Sequence, residues 1–230
     1  MILELRHIEC EPPGSYAPVL DKFAPVRTVR LWTEPVPDDP TDFAAIIVMG
    51  GPMGAGDGAE VPWIDREISF LRRAVDADVP VWGVCLGAQL LAAALGARVR
   101  TGPAPEVGMV DVTFTGAADP VWPDLDVLPV LQWHSDTFDL PAGATLLASS
   151  TAYPQQLFRY GRSYGVQFHL EADVALAQQW LAVPEYRSAL ESTIGAGAVP
   201  DFMEAIAASE DSAADLAQAV ILRWLQIAVG

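Results

Sequence analysis

A chain of 230 residues that is 51% hydrophobic and 19% charged can bury a core of its own, and it is too apolar for intrinsic disorder. Thirty acidic residues against thirteen basic ones give a formal net charge of −17. With no basic cluster to track a phosphate backbone, no nucleic acid and no anionic membrane is expected as a partner.

Two cysteines, Cys10 and Cys85, do not make a disulfide scaffold and read as free thiols in a reducing, cytoplasmic setting. The start MILELRHIEC carries Glu4 and lacks the long apolar core of a signal peptide. Residues 79–97 carry no charge over nearly the length of a membrane helix, but Pro80, Gly83, Gly87 and Gln89 interrupt them. They read instead as a buried strand, a sharp turn and a buried helix.

In chain order, residues 2–8 predict a strand, with His7 as a structural residue inside it, followed by the turn Glu11-Pro12-Pro13-Gly14. Residues 16–23 predict one or two helical turns and 26–32 a second strand. Pro35, Pro37 and Pro40 then break regular structure. The apolar run 44–49 has the character of a central parallel strand and ends in Gly50-Gly51-Pro52. Residues 63–77 show helical spacing, with Ile64, Ile68, Leu71 and Val75 on one stripe. Residues 80–84 predict another buried strand, and 86–95 a helix capped at Gly96. Val99 and residues 107–115, 127–131 and 145–148 predict short strands, and 156–160 with 163–168 a hairpin over Gly161-Arg162. Helices are expected over 173–180, 184–194, 201–208 and 212–228, the last with Ala213, Leu216, Val220, Trp224 and Ile227 on one face. Alternating strands and helices point to an α/β fold, a mostly parallel central sheet with helices on both faces. Residues 1–172 would form the catalytic domain and 173–230 a helical extension packed on it.

The sharpest feature is Gly83-Val84-Cys85-Leu86-Gly87, between a buried strand and a helix. That is the setting of a nucleophile elbow, with cysteine as the nucleophile. The turn lifts the thiol out of the sheet, and the helix N-terminus favours the thiolate. Cysteine is also a common buried apolar residue, so the flanking glycines and elements carry the distinction. An attacking thiolate needs a base, a group to orient that base, and donors for the oxyanion. Of the three histidines, His169 has Glu171 two residues on, and His134 has Asp136 at the same spacing. In extended backbone either acid faces its histidine, so both pairs are candidates. The N–H of Leu86 and a donor from Gly50-Gly51-Pro52 would form the oxyanion site.

Together, Gly50-Gly51-Pro52, Gly83-Val84-Cys85-Leu86-Gly87-Ala88-Gln89 and Val166-Gln167-Phe168-His169-Leu170-Glu171 resemble the class I, triad-type glutamine amidotransferase domain over about residues 40–171. The resemblance implies a flavodoxin-like three-layer fold. It implies Cys85 as nucleophile, His169 as base and Glu171 as its orienting acid, with Gly51 and Leu86 giving the oxyanion N–H groups. Gln89 looks like the residue that holds the substrate's amino-acid end. Glu106-Val107-Gly108 is similar to the family's Glu-x-Gly segment near the pocket. His134-Ser135-Asp136 resembles the segment whose backbone grips the glutamine α-carboxylate and amine.

Leu170 departs from the family's usual proline, which loosens the backbone there. No synthase domain and no G-x-x-x-x-G-K loop follow Glu171. The chain would therefore either feed ammonia to a separate synthase subunit or hydrolyse a small γ-glutamyl compound unaided. Stand-alone members look most like the glutaminase domain of GMP synthase. No cofactor and no metal are expected. The loops 52–60 and 102–109 would shape the leaving-group side. An elbow-cysteine enzyme of the DJ-1 type and a non-enzymatic partner-binding module are the alternatives, and the C-terminal helices could also carry a homodimer contact.

Overall fold

The computed structural model describes residues 1–229. Nine strands form one sheet: β1 (Ile2–Arg6), β2 (Val26–Arg30), β3 (Ala45–Val48), β4 (Val81–Val84), β5 (Val99–Phe114), β6 (Val127–Phe138), β7 (Thr145–Ser149), β8 (Leu157–Tyr160) and β9 (Ser163–Val166). Their order is β2-β1-β3-β4-β9-β8-β7-β5-β6. The five strands from β2 to β9 pair in parallel, and the pairs from β9 through β8, β7, β5 and β6 are antiparallel. The expected α/β architecture with a central parallel sheet is therefore present.

Alternate residues of the parallel strands face two separate core layers. Ile2, Ala45, Ile47, Trp82 and Val84 enter one; Leu3, Leu5, Ile46, Val48 and Val81 enter the other. Burial on both faces is why these strands read as unbroken apolar runs rather than alternating ones. The second layer is covered by α2 (Ile64–Asp76) and α3 (Leu86–Ala94). The first is covered by α1 (Ala17–Phe23) and the C-terminal half of α6 (Val199–Val229). There Trp224 lies 5.5 Å, centroid to centroid, from Trp82, and its indole N–H donates to Arg162 O. A third cluster joins α4 (Val174–Ala182), α5 (Pro184–Ile194) and the start of α6 to Val107 and Leu131. Among the described residues, no helix is long and apolar enough to cross a membrane.

Several elements differ from their sequence expectations; β6, expected over 127–131, runs on to Phe138. The break expected near residues 209–211 is absent, and α6 runs unbroken. Ser209 Oγ donates to Ala205 O and Ser212 Oγ to Ser209 O, so the polar run satisfies itself without leaving the helix. The buried face of α6 includes Ala217, Val220, Ile221, Trp224 and Leu225, while Ile227 is exposed. The segment 102–109 is part of β5, paired with β6 across an irregularity between Thr101 and Glu106, and is not a free loop. On α2 the buried residues are Ile64, Glu67, Phe70, Leu71 and Ala74, a stripe rotated from the expected one. Glu67 faces inward because it has a buried partner, His7.

Candidate active site

The C-terminal ends of β3, β4 and β9 converge on one cavity, the usual place for a site on a parallel sheet. Leaving β4, the chain turns into α3 through Cys85, whose φ of +51° and ψ of −107° lie outside the regions favoured by residues with a side chain. The turn is held by close backbone packing. A Cβ on Gly83 would run into Gly87 O, and one on Gly87 would run into Val48 O. Both flanking glycines are thus required by contact and not by flexibility. Gly87→Ala should push α3 off β3 at a cost of about 3 kcal/mol. That corresponds to a melting temperature lower by roughly 6–12 °C, measurable by thermal denaturation; an unchanged melting temperature would contradict the packing described.

His169 follows β9. Its N–H donates to Leu131 O at 2.9 Å, bridging to β6, and Ser15 N donates to Glu171 O at 2.9 Å. These bonds fix the segment where Leu170 stands in place of the family's proline, and Leu170 itself is buried in the core. His169 Nδ1 lies 2.6 Å from Glu171 Oε1, and the ring lines the same cavity as Cys85, whose Sγ lies 4.0 Å from Trp133 O. Burial disfavours the charged ring, but Glu171 and Cys85 beside it outweigh that and raise the His169 pKa well above 6.5. Trp180 of α4 stands edge-on to the imidazole, with centroids 4.9 Å apart.

His134 is differently placed. Its Nδ1 is 2.9 Å from Asp136 O and its Nε2 is 3.1 Å from Glu106 Oε2. With both nitrogens committed, it has none free to take a thiol proton. Burial disfavours the Glu106 carboxylate, yet hydrogen bonds from His134, Ser150 and Gln156 hold its pKa below the usual value.

The cavity has a volume of about 310 Å³ and is lined by Cys85, Leu86, Gly51, Gln89, His169 and the His134-Ser135-Asp136 segment, among others. Gln89 Nε2 donates to Asp136 O and Gln167 Oε1, which leaves its amide oxygen for a ligand. Glu171 stands behind His169. Glu106 and Gly108 do not line the cavity: Glu106 supports His134 from behind, and of that segment Val107 reaches the cavity wall.

Other residues enter the site without a sequence signal. The far wall is built from Trp180, Glu185, Tyr186 and Ala189 of α4 and α5, together with Glu11. Tyr186 OH donates to Glu11 Oε1 across 175 residues of chain, a separation that no local pattern reveals. Glu11 Oε2 and His169 Cε1 both face the side of Gly50 where a Cβ would stand. Burial raises the Glu11 pKa, with His169 and the Tyr186 hydroxyl opposing it. Of the segments 52–60 and 102–109, residues 52–54 and Val107 reach the cavity, and the C-terminal helices line it as well.

Comparison with known proteins places the chain in a family. The sequence model of the family described as glutamine amidotransferase class-I matches residues 23–182. A putative glutamine amidotransferase-like protein, YfeJ of Salmonella typhimurium, is 36% identical over 177 residues, covering 73% of this chain and 74% of that protein. GMP synthase (glutamine-hydrolyzing) of Streptomyces avermitilis is 35% identical over 158 residues, 64% of this chain; the chain spans only 29% of that synthase's length. One subunit of the GMP synthase (glutamine-hydrolyzing) of Methanoregula boonei is 32% identical over 147 residues, 60% of this chain and 71% of that protein. The crystal structure of a glutamine amidotransferase from Thermotoga maritima superposes with a TM-score of 0.88 at 28% identity, over 98% of this chain and 97% of that one.

Proposed function

Because this chain belongs to the class I glutamine amidotransferase family, we propose that it hydrolyses a γ-glutamyl amide through Cys85, His169 and Glu171. The substrate would be glutamine itself or a γ-glutamyl amine or peptide. The observation that carries the reading is the strained elbow cysteine sharing one cavity with a His169 ring that is bonded to the buried Glu171 carboxylate.

The chemistry follows from the positions. Nδ1–H donates to Glu171, so the other nitrogen takes the thiol proton and the thiolate attacks the γ-carbonyl carbon. The tetrahedral oxyanion is met by the N–H groups of Gly51 and Leu86. As the C–N bond breaks, the imidazolium gives its proton to the departing nitrogen. Water, deprotonated by the same histidine, then attacks the thioester; the C–S bond breaks and glutamate leaves. None of these steps needs a metal. Gln89 and the backbone of residues 134–136 would hold the α-amine and α-carboxylate. A volume of about 310 Å³ is at the small end for ligand pockets and suits a glutamine-sized substrate. The relative that forms one subunit of a GMP synthase supports transfer of the released ammonia to a separate synthase subunit.

Glu11 and Tyr186 line the cavity beside His169, and we place them on the leaving-nitrogen side. Tyr186→Phe leaves the Glu11 carboxyl without its donor and should lower kcat/KM about tenfold, an effect in the range for a lost hydrogen bond to a buried polar group. Steady-state kinetics with stoichiometric Cys85 alkylation as a control would check it; unchanged kinetics would remove Tyr186 from the site. The reading as a whole is tested by following glutamate release from glutamine and a panel of γ-glutamyl amines and peptides. Release from at least one is expected, and silence across the panel, with and without candidate synthases, would overturn it.

A further inference from the structure

We propose that the buried His7–Glu67 pair positions the oxyanion site by aiming and polarising the Gly50–Gly51 peptide. The inference rests on the reading above, in which the Gly51 N–H receives the oxyanion.

His7 follows the end of β1, at the bottom of the cavity loop. Its Nδ1 lies 2.9 Å from Gly50 O. A carbonyl only accepts, so Nδ1 carries a hydrogen and donates it. The Nε2 atom is 3.1 Å from both oxygens of Glu67, and both side chains are fully buried. Trp63 stacks on the imidazole, with centroids 5.2 Å apart and planes at 16°, and fixes its plane. The Gly50 carbonyl and the Gly51 N–H belong to one peptide unit. In a trans peptide these two groups point in opposite directions. A carbonyl held toward His7 therefore turns the Gly51 N–H away from it, to the side where Gly51 lines the cavity beside Cys85 and Leu86. Among the described residues, that N–H has no backbone acceptor. Gly51 packs closely on His7, since a Cβ at that position would lie 2.8 Å from His7 Cβ.

Hydrogen bonding at the carbonyl oxygen draws electron density through the amide and makes the distant N–H a stronger donor. The Glu67 carboxylate favours the doubly protonated ring, so this bond is charge-assisted. Burial alone would lower the His7 pKa, and Glu67 reverses the direction. A buried ion pair is a poor way to gain stability where apolar side chains would fill the space. Its place behind this one peptide gives it a use.

The test compares wild type, Glu67→Gln and His7→Ala using γ-glutamyl-p-nitroanilide turnover and glutamine kinetics. It adds inhibition by glutamate γ-semialdehyde, whose aldehyde carbon takes the Cys85 sulfur while its oxygen occupies the oxyanion position. Glu67→Gln keeps the shape and removes the charge, and should lower kcat about tenfold; His7→Ala removes the donor and should lower it about 100-fold. In both, KM for glutamine should stay within about twofold, and the aldehyde Ki should rise by the factor lost in kcat/KM. A merely structural role would not move the aldehyde Ki in step with kcat/KM. If His7→Ala does not fold, Glu67→Gln or His7→Asn decides by the same readouts. Wild-type turnover with Glu67→Gln showing unchanged kcat and aldehyde Ki would overturn the inference alone. Failure of the wild type to turn over any γ-glutamyl substrate would overturn the underlying reading, and the inference with it.

Discussion

Cys85→Ala is expected to reduce glutamate release by about 10⁵–10⁶-fold, the scale on which losing a covalent nucleophile acts. The fold should survive the change. Alanine adds no bulk, and the positive φ at position 85 already carries a Cβ in the parent chain. Cys10→Ala should leave turnover as it is. The Cys10 thiol is half-buried, and burial together with the neighbouring Glu11 raises its pKa, so it presents little thiolate. What the structure uses at position 10 is the backbone oxygen, which accepts from Trp180 Nε1 at 2.8 Å and is kept in the variant. Circular dichroism and glutamate-release assays on both variants check this. Comparable losses in the two would mean that the cysteines act through stability.

Glu171→Gln should lower kcat by about 10²–10⁴-fold while KM stays within a few fold. The bond from His169 Nδ1 to Glu171 Oε1 is 2.6 Å long, and both side chains are buried. The amide can still accept from Nδ1, but it cannot stabilise the imidazolium that forms when the thiol is deprotonated. The raised His169 pKa depends on that carboxylate and on Cys85 together. Removing the acid should therefore also slow alkylation of Cys85 at neutral pH. An alkylation rate equal to wild type would show that Glu171 does not govern the protonation of the pair.

The elbow was legible in the sequence because its physics is local. A strand-to-helix turn this tight leaves no room for a Cβ at positions 83 and 87, so the glycines announce it. The spacing of His169 and Glu171 marked them as a candidate pair, but His134 and Asp136 share that spacing, and only the resemblance separated the two; in the structure His169 bonds the Glu171 carboxylate whereas His134 bonds the backbone oxygen of Asp136. The parallel strands were legible because burial on both faces leaves continuous apolar runs.

What spans the fold was not legible. Glu67 sits on the core side of α2, against helical hydrophobic spacing, because its partner is 60 residues away in His7. Tyr186 and Glu11 meet only after α5 has packed over the cavity. Glu106 and His134 both look like pocket residues in sequence, and His134 does line the cavity, but β5 and β6 pair the two so that Glu106 lies behind it, bonded to its ring. The continuity of α6 depends on serine hydroxyls bonding back to the helix, which composition alone reads as a break.

The central claim, that Cys85 is the acylated nucleophile of a γ-glutamyl hydrolase, is tested most directly with a diazoketone isostere of glutamine. Such a reagent alkylates the thiolate that would attack the γ-carbonyl. Peptide mapping by mass spectrometry after incubation should find one equivalent of label on Cys85, none on Cys10, loss of activity in proportion to labelling, and protection by excess glutamine. Inactivation with the label on Cys10, or full retention of activity with Cys85 labelled, would contradict the claim.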